Sequence, residues 1–332
     1  MDMEPEKSPS KSRSQAVDIL VVGAGWTSTF LIPICEARGL THAATSRSGR
    51  AGTIRFEFNQ ELGLGSGGGS TGGGGNHEAE NGGGNQEEAA ASGVEDAHRD
   101  DDEGFSRLPQ AQTVLLTFPI TKPGAVARFV RTYMRLHVPE GSSPHFIQLG
   151  ATSIWDGVAK NLHRWCDRRS PYTRTERAAS EDELLALGNS TVLNLAGLWG
   201  GKRDTRNWVS KVAPTKEALR NKGSVHMIHG HDVARAILAV HSDFGKAAGQ
   251  RWILTDGRVY DWWDLASAWG VRGSPSGDRG PHPLWVLELM QETGVRGLPR
   301  DVSLLGRALD SRDFWLTFGL TPEKARLDSG DV

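Results

Sequence analysis

A short apolar run that ends abruptly at a glycine turn constrains this chain more than any other feature. Asp18-Ile19-Leu20-Val21-Val22 leads directly into Gly23-Ala24-Gly25-Trp26-Thr27-Ser28. An apolar run without alternation predicts a strand buried on both faces, as in a parallel sheet. Phe30, Leu31, Ile34 and Ala37 then recur at helical spacing over about 27–37, and Gly39 suits the end of a helix. Pro33 removes one helix hydrogen bond and predicts a kink. In a strand–turn–helix of this kind the first glycine permits the tight turn, and the second lets an anionic group approach the backbone. A third small residue, here Ser28, lets the helix pack near the strand, with its hydroxyl in reach of a phosphate. The free amides that open the helix, at Trp26 and Thr27, then face that anion, which the helix dipole favours. Gly23, Gly25, Trp26, Thr27 and Ser28 are therefore the candidate ligand-binding turn.

A second strand is predicted at about His42 to Thr45. Roughly 20 residues beyond such a turn, a fold that prefers NAD places a carboxylate against the ribose 2′-hydroxyl. Here the zone reads Thr45-Ser46-Arg47-Ser48-Gly49-Arg50, with no carboxylate. Arg47 suits a 2′-phosphate, so the expected cofactor is NADP in preference to NAD. Arg47 and Arg50 also read as solvated loop charges.

The remaining organisation follows from composition and pattern. Residues 63–104 hold fourteen of the 41 glycines, ten acidic residues and one arginine. Such a segment buries too little apolar surface to offset its ordering entropy and is expected to be a disordered insertion, as is the tail 1–16. Without the insertion, 30 acidic and 37 basic residues leave a balance of +7, which suits an anionic cofactor but not a nucleic-acid surface. Further strands are predicted at Thr113 to Phe118, His145 to Leu149, Thr191 to Leu195 and near Trp252 to Leu254, with helices at Arg174 to Leu187 and Asp232 to His241. Strands alternating with helices imply parallel βαβ units and a doubly wound sheet. Trp262, Trp263, Trp269, Trp285 and Trp315 crowd the last third, which reads as a small C-terminal lobe over about 200–330. The two distant cysteines, Cys35 and Cys166, form no disulfide or zinc framework. No run is long and apolar enough for a membrane helix, and no signal peptide is evident, so a cytoplasmic protein is expected.

Six blocks, in this order and spacing, resemble the extended short-chain dehydrogenase/reductase family in its atypical, NAD-dependent epimerase/dehydratase-like branch. They are the glycine turn, Leu116 to Pro119, Gly150 to Trp155, Arg177 to Glu181, Leu195 to Gly200 and Ile228 to Ala234. Leu193 to Gly201 and Trp252 to Leu265 are similar to fungal members. The resemblance implies a Rossmann-like α/β fold, with Phe118 and Pro119 beside the cofactor and Trp199 facing the nicotinamide. It also implies a catalytic Ser or Thr, a Tyr and a Lys four residues later, the Lys lowering the pKa of the Tyr hydroxyl. Aligning the glutamate that follows such a lysine on Glu181 puts Arg177 at the lysine position and Thr173 at the tyrosine position, with Tyr172 one residue off. Thr152 and Ser153 stand near the serine position. An aliphatic hydroxyl and a guanidinium are poor proton shuttles, so the set is degraded.

Asp156, Arg203 and Lys211 are candidates to line a pocket at the strand ends. His226, His229 and His231 lie within six residues, but their spacing alternates faces and no metal is expected; Asp232 is expected to cap the next helix. Glu181 reads as a structural residue paired with Arg177 at i,i+4 spacing. Two functions remain open: an NADP- or NAD-binding oxidoreductase-like or epimerase-like enzyme, and a non-catalytic dinucleotide-binding or sensing module. The small-molecule substrate and the oligomeric state are not legible; no nucleic-acid or membrane partner is expected.

Overall fold

The computed structural model describes residues 16–50, 52–62, 102–156, 165–270 and 280–327. Seven parallel strands form the central sheet: β1 (Val17–Val22), β2 (His42–Ser46), β3 (Ile54–Arg55), β4 (Ala111–Leu116), β5 (His145–Ala151), β6 (Ser190–Leu195) and β7 (Gln250–Leu254). Their order across the sheet is β7-β6-β5-β4-β1-β2-β3. The chain first winds outward from β1 through β2 to β3, then returns to the other side at β4. The junction between β1 and β4 is thus the point where the winding reverses, and ligands of doubly wound sheets bind outside the strand ends there. This is the Rossmann-like α/β architecture expected from the alternating pattern.

Strand β1 shows why its run lacks alternation. Ile19 and Val21 enter one apolar cluster, with helix α1 (Ser28–Ala37) and the helix Gly230–Ser242 against that face. Leu20 and Val22 enter another, with α2 (Ala125–His137) on the opposite face. Both faces are covered, so every position from Ile19 to Val22 is at most 1% exposed. Helix α1 runs unbroken through Pro33. Helix α3 (Glu176–Ala186) packs on the α2 side, and α4 is the helix Gly230–Ser242.

Helix α2 has no counterpart in the sequence reading. Its buried Val126, Phe129 and Tyr133 follow helical spacing and close on Phe56 and Phe105. The insertion is shorter than expected at its far end. Residues 63–101 lie outside the described residues, as does the tail before Ala16, but Asp102 to Ser106 form a helical turn that seats Phe105 in the core.

A separate apolar cluster gathers Trp199, Val209, Leu219, Met227, Trp262, Trp263, Val286 and Leu289 beyond the sheet. Trp315 is not part of it. Helices α5 (Trp262–Trp269) and α6 (His282–Thr293) contribute to this cluster, whereas α7 (Arg312–Thr317) returns to the sheet, where Phe314 and Trp315 join the α1 side of the core and Phe314 packs on Trp252. The tryptophan-rich third therefore divides between lobe and sheet.

Gly23 joins β1 to α1 with φ +98°, and an added Cβ would lie 2.7 Å from Thr117 Oγ1 and 3.0 Å from Phe118 Cδ1. Backbone strain and the close approach of the segment after β4 both require glycine there. Gly23→Ala is expected to destabilise the fold by about 2 kcal/mol, read as a lower urea midpoint at unchanged slope.

Candidate functional site

The glycine turn sits at the C-terminal end of β1, held from three sides. The Gly23 amide donates to Thr45 Oγ1 at 3.0 Å and the Ala24 amide to Thr45 O at 2.5 Å, tying the turn to β2. From the β4 side, the Thr117 hydroxyl donates to Gly23 O at 2.5 Å. From the lobe side, the Trp26 indole N–H donates to Gly200 O at 3.1 Å. These bonds use the Gly23 carbonyl and the turn's first two amides. The amides of Gly25, Trp26 and Thr27 have no acceptor among the described residues.

Gly25 differs from Gly23 in a telling way. Its φ is not in the left-handed region, and a Cβ there would meet only Gly23 O at 3.8 Å. Nothing in the packing demands glycine at this position. A side chain would obstruct only what approaches the open side of the turn. Ser28 is 4% exposed, and its hydroxyl donates to Gly25 O at 2.6 Å. It therefore serves the close packing expected of it while its proton is committed to the turn itself.

The two arginines after β2 separate. Arg47 is exposed at the tip of the turn. Arg50 reaches back, and its Nη2 donates to Ala24 O at 2.6 Å. The turn that aims it is held by the Arg50 amide on Ser46 Oγ and by the Ser46–Thr53 hydroxyl pair at 2.7 Å. The expectation from the sequence is Arg47, whereas it is Arg50 that the structure brings to the glycine turn. Phe118 lies against Gly23, and its carbonyl accepts from Gln148 Nε2 at 2.9 Å; Pro119 is exposed beside it. Trp199 is buried in the lobe cluster, edge-on to His229 at 4.6 Å, so it is core and not an open face toward a ligand.

The residues aligned for proton transfer do not form a relay. Helix α3 starts at Glu176, capped by Thr175, whose Oγ1 accepts from the Ala178 amide at 3.1 Å. Thr173 precedes the cap and is exposed, so it does not share a helical face with Arg177. The Tyr172 hydroxyl donates to Asp182 Oδ1 at 2.5 Å, with the ring under the Arg251 guanidinium at 4.7 Å. Burial and the Asp182 carboxylate push its pKa up, opposite to what a catalytic tyrosine needs. Arg177 donates to Leu149 O at 2.7 Å and to Glu181 Oε1 at 3.2 Å. Glu181 is 2% exposed; its second oxygen accepts from Asn194 Nδ2 at 3.1 Å and from Arg251. Arg251 also donates to Asn194 Oδ1 at 3.1 Å and Asp182 Oδ1 at 2.9 Å. Gly150 makes room for this network, since a Cβ there would lie 2.2 Å from Asn194 Nδ2. Every charge in it is matched, as a buried ion network requires.

At the end of β5, Thr152 is buried, with its carbonyl 3.5 Å from Arg307 Nη1, and Ser153 is exposed. Asp156 pairs with Arg307. Lys211 is exposed in the lobe, and Arg203 lies over the Trp26 ring, 4.5 Å from its centroid. Two cavities open beyond these ends: about 250 Å³ beside Trp165, Ser303 and Arg307, and about 560 Å³ beside Trp165, Gly257, Ser311 and Arg312.

The three histidines have separate tasks. His226 Nε2 accepts from the Leu309 amide at 3.0 Å, His229 Nδ1 accepts from the His231 amide at 3.1 Å, and His231 Nε2 pairs with Glu323 at 2.8 Å. His229, not Asp232, caps α4. Asp232 lies inside the first turn and accepts the amides of Glu323 and Lys324, each at 2.9 Å, anchoring the returning chain. Among the described residues no group of three metal-ligating side chains converges, and no helix is long and apolar enough to cross a membrane.

No protein-family model matches the sequence, and no curated protein does. Solved structures do match. One is described as an NAD-dependent epimerase/dehydratase from Methylobacillus flagellatus, 15% identical, covering 95% of this chain and 96% of that one at a TM-score of 0.54. Vestitone reductase from alfalfa is 13% identical over 92% and 93% of the two chains, at 0.54. RMD from Pseudomonas aeruginosa, solved with NADPH, is 14% identical over 93% and 96%, at 0.51. At these identities the likeness is one of fold, and it extends through the lobe as well as the sheet.

Two buried groups behind the site oppose each other in pH dependence. Burial holds His226 down at about 4, below its ordinary 6.5. Its neutral form is the folded one, so its contribution to stability is present above pH 6.5 and is lost as pH falls toward 4. Burial raises the Asp256 carboxyl to about 7, from 3.8. Its contribution is present below pH 3.8 and is lost as pH rises toward 7. Between pH 4.5 and 6 the two slopes cancel. Relative to the unsubstituted chain, Asp256→Asn should make stability rise with pH in that window and His226→Gln should make it fall, each by about 1.4 kcal/mol per pH unit in urea titrations.

Proposed function

We propose that this chain binds a nicotinamide dinucleotide across the end of β1, with NADP(H) preferred to NAD(H). The observation that carries the reading is the open side of Gly25, where three consecutive backbone amides without acceptors meet a position kept free of a side chain for no packing reason. The donor set fits a diphosphate: amides at a helix N-terminus, with no acidic residue in the first turn of α1. Arg50 supports the preference for a 2′-phosphate. Its guanidinium is fixed at the turn through Ala24 O, and no carboxylate stands in the 45–50 zone to take a ribose hydroxyl. Arg47, exposed beyond it, is a further cation in reach of that phosphate.

When bound, the nicotinamide of such a cofactor gives or accepts a hydride. What this chain supplies there is not the usual proton relay. Tyr172 is held by Asp182, and Arg177 by Glu181 and Leu149 O, so neither delivers a proton at the end of β5. The binding or sensing role is therefore the reading the geometry supports best. The cavity of about 560 Å³ beyond β7, beside Trp165, Gly257, Ser311 and Arg312, favours a second reading, an oxidoreductase-like or epimerase-like enzyme for a small molecule.

Calorimetric titration with NADPH and NADH tests the proposal. The unsubstituted protein should bind NADPH more tightly than NADH. Gly25→Asp, which sets a carboxylate where the phosphates lie, should weaken both at least a hundredfold. Arg50→Ala should weaken NADPH about tenfold and leave NADH unchanged, and Tyr172→Phe should alter neither. No binding of either cofactor, or undiminished binding by Gly25→Asp, would overturn the reading.

A further inference from the structure

The turn at Gly200–Arg203 closes on itself, with the Gly200 amide donating to Arg203 O and the Arg203 amide to Gly200 O, both at 3.1 Å. It follows the strand Gly197–Trp199, far from the glycine turn in sequence, yet Gly200 O receives the Trp26 indole N–H. The Arg203 guanidinium then covers the Trp26 ring at 4.5 Å from its centroid. Trp26 is itself wedged edge-on against Phe30, centroids 4.9 Å apart, so the ring that carries Arg203 is fixed to the first turn of α1. A stacked guanidinium is held by its face and keeps the N–H donors around its edge available. Arg203 is exposed and forms no ion pair among the described residues.

The charges around this point are unbalanced. The positive end of α1, Arg50 at Ala24 O and Arg203 on Trp26 converge, while the first turn of α1 holds no acidic residue and neither arginine has a carboxylate partner among the described residues. Like charges gathered in this way raise the energy of the site until an anion enters.

We infer that Arg203, carried on the Trp26 ring, is the second half of the diphosphate site of the dinucleotide: the amides of Gly25, Trp26 and Thr27 hold the diphosphate from one side, and the Arg203 guanidinium holds it from the lobe side. This rests on the dinucleotide reading above. It assigns the two arginines different tasks. Arg50 reads the 2′-phosphate, which only NADP(H) has; Arg203 reads the diphosphate common to NADP(H), NAD(H) and ADP-ribose.

The test is calorimetric titration of the full chain with NADPH, NADH and ADP-ribose, using the unsubstituted protein, Arg203→Ala and Arg203→Gln. Arg203 is exposed, so thermal melting of both variants should match that of the unsubstituted chain. Both should lose about tenfold in affinity for all three ligands, by the same factor, with the NADPH-to-NADH ratio preserved. Affinities within twofold of the unsubstituted protein would overturn the inference while leaving the dinucleotide reading intact. A loss confined to NADPH, or one that spares ADP-ribose, would also overturn it, because Arg203 would then face the 2′-phosphate or the nicotinamide. Absence of binding by the unsubstituted protein would overturn both readings together.

Discussion

Strand β1 is buried on both faces and must hand the chain to α1 within a few residues, through a turn that the segment after β4 crowds closely. That handover fixes much of the rest. It needs Gly23, because of a positive φ and the approach of Thr117. It consumes the Gly23 carbonyl and the first two amides of the turn in bonds to Thr117 and β2, and it leaves the next three amides without an acceptor among the described residues. Helix formation cannot satisfy those amides from within, since Gly25 and Trp26 precede α1 and Thr27 is its N-cap. The site that we propose for a ligand thus lies where a buried parallel strand meets a helix. Two further bonds tie the turn to distant segments: Arg50 Nη2 on Ala24 O, and the Trp26 indole N–H on Gly200 O.

The opposite happens at the end of β5. There the positions that align with a proton relay are drawn into a closed network of Tyr172, Arg177, Glu181, Asp182, Asn194 and Arg251. Removing one member of such a network leaves a buried charge without a partner and costs about 3–5 kcal/mol. The same bonds that make it stable withhold its hydroxyl and guanidinium groups from chemistry. A tyrosine whose proton is committed to a carboxylate, and whose pKa is raised by burial, is a structural residue. The turn proposed for a cofactor thus keeps its amides free, while the groups aligned for proton transfer are tied up.

The fold was legible where both faces of an element are buried. The uninterrupted apolar run announced β1, Val- and Leu-rich segments announced β4 and β6, and the alternation of strands with helices announced the sheet. Helix α2 went unread although Val126, Phe129 and Tyr133 carry helical spacing, and Trp315 was assigned to the lobe because tryptophan content alone does not say which surface a ring meets. At the site, glycine spacing identified the turn, since backbone conformation constrains residue type there. Spacing could not single out Arg50: it pointed to Arg47, whereas the hydroxyl bonds of Ser46 and Thr53 aim Arg50 at the turn. Nor could it place Thr173, because the start of α3 is set by the Thr175 cap. The stacking of Arg203 on Trp26 joins segments distant in sequence and had no local signal.

The central claim is that the amides of Gly25, Trp26 and Thr27 are kept free to hold a dinucleotide. Backbone amide resonances of these three residues, followed by NMR while NADP is added, test it most directly. The account predicts saturable shifts at all three and slowed hydrogen exchange at each once the ligand is bound. Resonances that stay unmoved at saturating NADP, or shifts confined to the lobe, would contradict it.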